Sequence, residues 1–234
     1  MKIHPNVAIL EIPVDFGSGP TILNLSAIID EDGATLFDTG MPGQEQLILE
    51  ALAKEGVEAS GLKRIVITHA DSDHIGSMKA LKDLTGAELI CLDVEADYIS
   101  GAVPPYKSPP PKVLEENPQF KAMLDSIQRV PADTVVKDGE TIPGTRAVAV
   151  ATPGHTLGHM SVYLPEGKIL ITGDALTAAD GVLDGPMERA TPDMAAAKAS
   201  VKKLAALDVE KIVAYHGGLV DKDAKGQLRR VSDE

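Results

Sequence analysis

Residues Thr68-His69-Ala70-Asp71-Ser72-Asp73-His74 put two imidazoles and two carboxylates into six positions, directly after the apolar run Arg64-Ile65-Val66-Ile67. More groups of the same kind follow later apolar runs: His155 and His159 in Thr152-Pro153-Gly154-His155-Thr156-Leu157-Gly158-His159, Asp174 in Gly173-Asp174, and His216 in Tyr215-His216-Gly217-Gly218. An earlier run ends in Asp38-Thr39-Gly40. Imidazole and carboxylate together select Zn, Fe, Mn or Co over Ca, which takes oxygen alone. Cys91 is the only cysteine, so neither an internal disulfide nor a thiolate-only metal site can form. The supply of ligands suits two metal ions. A carboxylate can bridge two cations, and a metal pair can share a hydroxide while polarising a substrate oxygen.

Such groups act together only if the fold brings strand ends to one edge. Residues 7–16 and 21–29 read as strands joined through Gly17-Ser18-Gly19-Pro20, and 34–37 as a third strand. A helix over about 44–55 places Leu47, Ile48, Ala51 and Leu52 on one face, and Gly56 stops it. The strand at 64–68 leads into the first motif. A helix from about Ile75 then carries Met78, Leu81 and Leu84 inward as far as Gly86, before a strand at 88–92. Strands at 134–136, 141–142 and 146–151 follow, with a hairpin of Met160–Leu164 and Lys168–Thr172. Residues 175–190 read as a loop. Thr191-Pro192 reads as the start of a helix reaching Leu207, with Met194, Val201, Leu204 and Ala205 inward. The last strand is 211–214, and the charged tail from Asp221 is expected to fray. Helices alternating with apolar strands indicate a layered α/β architecture. In such a protein His69, Asp71, Asp73, His74, His155, Asp174 and His216, all at or just beyond strand ends, meet at one edge.

Residues 98–131 interrupt the pattern. Seven of the sixteen prolines lie there, which rules out a central strand or a continuous helix. Asn117-Pro118 reads as a cap with proline in the first turn, and Phe120, Met123, Leu124 and Ile127 form an apolar stripe. The segment reads as a lid-like excursion from a single domain spanning residues 1–234, rather than as a linker.

Composition narrows the function. The formal net charge of −13 and the absence of Trp disfavour nucleic acid as a partner. There is no apolar run long enough to span a membrane, and the first residues lack the pattern of a secretory signal. The expectation is a cytoplasmic protein with a small-molecule substrate and no membrane partner. Oligomeric state is open, a homodimer being one option.

Several residues have plainer readings. Cys91, between Ile90 and Leu92, reads as a buried strand thiol. Gly158 and Pro153 argue against a helix carrying both His155 and His159, so His159 reads as structural support rather than a ligand. Tyr106 and Tyr215 default to packing. Ser60-Gly61-Leu62-Lys63 and Ser200-Val201-Lys202-Lys203 match Ser-x-x-Lys without its companion motifs and are taken as incidental.

The succession Thr-His-x-x-x-Asp-His, Pro-Gly-His-Thr-x-Gly-His, Gly-Asp and His-Gly, preceded by Asp38-Thr39-Gly40, resembles the metallo-β-lactamase superfamily over residues 22–218. The resemblance implies a four-layer αββα sandwich with metals at one edge. It implies that His69 and His155 hold a first metal, that Asp73, His74 and His216 hold a second, and that Asp174 bridges them. Asp38 would support the geometry of the loops. The family's second histidine of the first motif is Asp71 here. If Asp71 binds, the first site exchanges an imidazole for an anionic oxygen. Zinc is the first expectation for the two divalent ions, with iron or manganese as alternatives favoured by the added carboxylate.

The function expected is hydrolysis of an ester, lactone or thioester by a metal-bound hydroxide, with Asp73 as the catalytic residue that orients the nucleophile. The missing leader disfavours a secreted β-lactamase. The short chain after His216 disfavours a glyoxalase II with its extra helical domain. The acidic balance disfavours an RNA phosphodiesterase. An iron-dependent thiol or sulfur oxidoreductase is the main rival, and a degenerate binding module the third reading.

Overall fold

The structure, a computed structural model, describes residues 1–17 and 19–234; the expected turn at Gly17–Pro20 therefore includes one residue, Ser18, outside the described set. Strands β1 (Lys2–His4), β2 (Val7–Asp15), β3 (Pro20–Asp30) and β4 (Gly33–Phe37) pair antiparallel in succession. The sheet then continues in parallel through β5 (Leu62–Ile67), β6 (Glu88–Leu92) and β7 (Thr134–Val136). Parallel neighbours need crossovers. Helix α1 (Glu45–Lys54) joins β4 to β5, while α2 (Ser72–Ile75) and α3 (Met78–Thr85) join β5 to β6. The β6–β7 crossover is the proline-rich excursion. It holds three short helices, α4 (Ala96–Ser100), α5 (Pro111–Glu116) and α6 (Pro118–Asp125), where the sequence suggests one.

The second sheet contains β8 (Val148–Ala151), β9 (Met160–Leu164) and β10 (Ile169–Ile171), followed after a crossover by β13 (Lys211–Ala214) and β14 (Gly218–Val220). Its order is β14-β13-β10-β9-β8, with β10 and β13 parallel across helix α7 (Met194–Ala205). The region expected to be a loop, 175–190, contains a two-stranded ribbon of β11 (Thr177–Ala179) and β12 (Val182–Asp184).

Three apolar clusters define the layers. Ile9, Ile28, Phe37, Val66 and Ile90 of the first sheet pack on Ala149, Val162, Ile169 and Val213 of the second. The outer face of the first sheet is covered by Ile48 and Leu52 of α1 and by Met78 and Leu81 of α3. The outer face of the second is covered by Val201 and Leu204 of α7 and by the C-terminal helix α8 (Ala224–Ser232). The result is the helix–sheet–sheet–helix sandwich expected from the motifs.

The local differences have physical causes. The tail does not fray: Ala224, Leu228 and Val231 fall on one face of α8 and are buried against α7 and β13. That short stripe was obscured by the surrounding charge. Leu47 and Leu84 are 42% and 54% exposed, because each lies just off the covered face of its helix. Helix α7 is capped by Asp193, which accepts from the Ala196 amide, rather than by Thr191. Cys91 is fully buried in β6, and burial pushes its thiol up to about 12.

Candidate metal centre

The motifs lie where the sheets' strand ends meet. Asp38 follows β4, Thr68 and His69 follow β5, and Asp174 and His216 follow the parallel strands β10 and β13. The Met160 amide donates to the Thr68 carbonyl and the Asn24 amide to the Tyr215 carbonyl, stitching the two sheets together at this edge.

Glycine is required at two of these turns. Gly217 has φ +118°, and a Cβ there would lie 1.7 Å from the Ala178 carbonyl oxygen. Gly173 has φ +52°, and a Cβ there would stand 2.7 Å from His159 Nε2. Asp38 is itself held at φ +63°, an unusual state for a non-glycine residue. From there its carboxylate accepts from the Thr68 amide at 2.8 Å and lies 2.9 Å from His74 Nδ1. That contact turns the other ring nitrogen, His74 Nε2, into the site.

Three groups of side chains each bring one ligand atom to within 4.8 Å of the others: His69, Asp71 and His155; His69, His74 and Asp174; Asp73, His74 and His216. Asp174 is the hub. Its Oδ1 lies 3.2 Å from His74 Nε2, and its Oδ2 lies 3.3 Å from His155 Nε2 and 3.4 Å from His216 Nε2. Asp73 Oδ2 is 3.3 Å from His216 Nε2. Asp71 occupies the N-cap position of α2, yet its side chain makes no capping bond. Its Oδ2 instead lies 3.1 Å from His155 Nε2 and 3.4 Å from His69 Nε2. His159 stands behind this cluster. Its Nδ1 is 2.8 Å from Thr152 Oγ1, and its Nε2 accepts from the Asp174 amide at 3.0 Å, so that nitrogen's lone pair is already engaged.

Burial and mutual charge set the protonation pattern. Burial, reinforced by His74, lowers His69 to about 4, so its ring is neutral at pH 7. Burial opposes a proton on His216, but Asp174 and Asp73 outweigh it and raise the ring to about 10. His74 is likewise raised against its burial by Asp38, Asp174 and Asp73. Burial would lift the Asp71 carboxyl, yet His69, His155 and Lys107 hold it well below the usual range.

These residues fit a metal. Among the described residues, His69 Nε2, His74 Nε2 and Asp174 Oδ1 are buried without a hydrogen-bond partner. Orphaned buried polar atoms are costly and rare, and lone pairs converging from imidazole and carboxylate are what a divalent cation satisfies.

Two neighbours escape sequence reasoning. Glu95 is 1% exposed. It accepts from the Ala70 amide at 2.8 Å, the Gly158 amide at 3.0 Å and Thr156 Oγ1 at 3.2 Å, tying the first histidine loop to the second. Lys107 of the proline-rich excursion places Nζ 2.5 Å from Asp71 Oδ2 and 2.6 Å from His155 Nε2. Glu95 has no signature in the sequence. Lys107 has one faint signal, as the first basic residue in the proline-rich stretch. Tyr215 packs on the His74 ring and its hydroxyl donates to the Asp73 carbonyl. Ser200 donates to the Pro153 carbonyl, a structural use that absorbs its Ser-x-x-Lys match.

A four-layer sandwich with histidine and aspartate converging at one edge is the arrangement of a metal-binding α/β protein. A model of the metallo-beta-lactamase superfamily matches residues 19–216, and the chain belongs to that superfamily of hydrolytic metalloenzymes. It is 30% identical to the probable metallo-hydrolase YflN of Bacillus subtilis, over 78% of this chain and 74% of that one. It is 29% identical to a hydroxyacylglutathione hydrolase of Fuscovulum blasticum, over 71% of this chain but only 51% of that one. Among solved structures, the metallo-beta-lactamase FIM-1 from Pseudomonas aeruginosa in its mono-zinc form superposes with a TM-score of 0.72 at 19% identity, over 99% of this chain and 93% of that one. The last likeness is one of fold. Among the described residues no helix is long and apolar enough to cross a membrane.

Proposed function

We propose that this protein is a dinuclear hydrolase of ester, lactone or thioester bonds. His69, Asp71 and His155 would hold one divalent ion, and Asp73, His74 and His216 the other. The observation that carries this reading is Asp174, a single carboxylate whose two oxygens face ring nitrogens of both groups, the placement a bridging ligand needs. When bound, the metals supply Lewis acidity that polarises a carbonyl and acidifies water.

The chain's own residues do the rest. Asp38 fixes the His74 ring by its 2.9 Å contact with Nδ1. Asp73, aimed by the Tyr215 hydrogen bond to its carbonyl, orients the nucleophile and accepts its proton. His159 holds the Asp174 backbone in place. Beside Asp71 and Asp73 lies a cavity of about 730 Å³ walled by Leu114, Phe120, Leu124 and Ile127. That wall suits the apolar part of an acyl group. The name of the hydroxyacylglutathione hydrolase relative supports an acyl-transfer substrate, and the mono-zinc neighbour supports zinc. With a net charge of −13, a small molecule in the cytoplasm fits better than nucleic acid.

The test is metal analysis of the purified protein together with assays on ester, lactone and thioester panels. Two equivalents of metal, hydrolysis lost to chelators, and a kcat about 100-fold lower in Asp73→Asn are expected. A fully loaded protein that hydrolyses none of the panel, or that consumes oxygen with thiols, refutes the proposal.

A further inference from the structure

The excursion reaches into the candidate metal centre through one side chain. An ammonium has three donors and no acceptor. Those of Lys107 are directed at Asp71 Oδ2 (2.5 Å), His155 Nε2 (2.6 Å) and the Ala190 carbonyl (3.3 Å). A histidine Nε2 that accepts a hydrogen bond offers one lone pair, and a zinc ion would need that same lone pair at about 2.0–2.1 Å. Two cations cannot use it together.

We propose that Lys107 and a metal ion are alternative occupants of the His69–Asp71–His155 corner, so that loading this corner releases the proline-rich segment 104–109 from the site. Among the described residues, Lys107 is the only member of 104–109 whose hydrogen bonds reach outside the excursion; that of Ser108 goes to Pro105. Pro104, Pro105 and Pro109 have no amide to donate. One side chain therefore latches the segment, and the two shorter of its three contacts go to residues of the metal corner. Lys107 also lines the 730 Å³ cavity, so its release alters the wall nearest the metals. Metal loading and access to the cavity are thereby coupled. The aspartate that replaces the family's usual histidine strengthens this latch, because a carboxylate offers the ammonium an anionic partner where an imidazole would offer only a neutral acceptor.

The inference rests on reading His69, Asp71 and His155 as a metal corner, and its test measures binding and mobility rather than turnover. Cys91 is buried, so a cysteine introduced at the exposed Ser108 takes a nitroxide label selectively. The spin-label spectrum reports the mobility of the segment, and zinc binding is followed in parallel by chelator competition. In the otherwise native chain, zinc is expected to convert an immobilised label to a mobile one. In a Lys107→Met background the label is mobile from the start and zinc changes nothing.

Lys107→Met should also tighten zinc binding at the His69–Asp71–His155 corner about tenfold or more, the scale of one lost charge-assisted hydrogen bond. Lys121→Met removes a charge from the same cavity without touching a ligand atom, and should alter affinity less than about twofold. Zinc uptake at both sites with an unchanged label spectrum overturns the proposal, as does equal tightening by the two variants. Failure of His155→Ala to reduce zinc stoichiometry overturns the metal corner and the latch together. Absence of hydrolysis in a protein that loads and unlatches as described refutes only the proposed activity.

Discussion

Replacing Glu95 tests whether the two histidine loops are held together by one buried carboxylate. Oε1 takes the Ala70 amide, while Oε2 takes the Gly158 amide and the Thr156 hydroxyl. Burial pushes this carboxyl up, and the three donors pull it back. Glu95→Gln keeps the shape but has one oxygen and one NH2 group. One loop keeps its acceptor, and the amide of the other then faces a donor. Leaving one buried donor unsatisfied costs about 1–3 kcal/mol, so about 2 kcal/mol is expected. Glu95→Ala strands both amides and leaves a void, for about 4 kcal/mol, a large share of the stability of an ordinary domain. In urea unfolding of chelator-treated protein, with a slope of about 2.5 kcal/mol/M, Glu95→Gln should lower the midpoint by roughly 0.8 M. Zinc affinity should fall more at His69–Asp71–His155 than at Asp73–His74–His216, because the clamp joins the two separate loops that make up the first group, whereas it touches only one loop of the second. A Glu95→Gln protein that unfolds at the native midpoint and keeps native zinc affinity refutes the clamp.

Two further outcomes follow from the geometry. The His216 ring is raised to about 10 in the folded chain, against an ordinary value near 6.5. Its attraction to Asp174 and Asp73 is complete below about 6.5 and is lost as pH rises through about 10. The thermal midpoint of chelator-treated protein should therefore fall between pH 7 and 10, whereas zinc-loaded protein, with that ring nitrogen engaged, should show a flatter profile. Leu228→Ala should cost about 2–4 kcal/mol in urea unfolding, since Leu228 is 1% exposed and anchors α8 on the second sheet; a loss under about 0.5 kcal/mol would mean that α8 adds little to the core.

The sequence by itself carried the candidate ligand types, their order along the chain and the layered fold. Metal coordination restricts ligands to a few residue types, and apolar runs betray strands whether or not their partners are known. His69, Asp73, His74, His155, Asp174 and His216 therefore stood out, and so did the odd Asp71. The sequence also exposed Asp38, through the turn that ends β4. It could not weigh the amphipathic face of α8, because a three-residue stripe within charge has no meaning until a surface is there to cover it. Only the tertiary structure joined Glu95 to Ala70, Thr156 and Gly158, or brought Lys107 to Asp71 and His155, across 36 and 48 residues of chain. Such contacts are set by where a crossover lands after two sheets have packed. An isolated glutamate or lysine carries no trace of that in its own neighbourhood, so the groups that tune the centre were legible only in three dimensions.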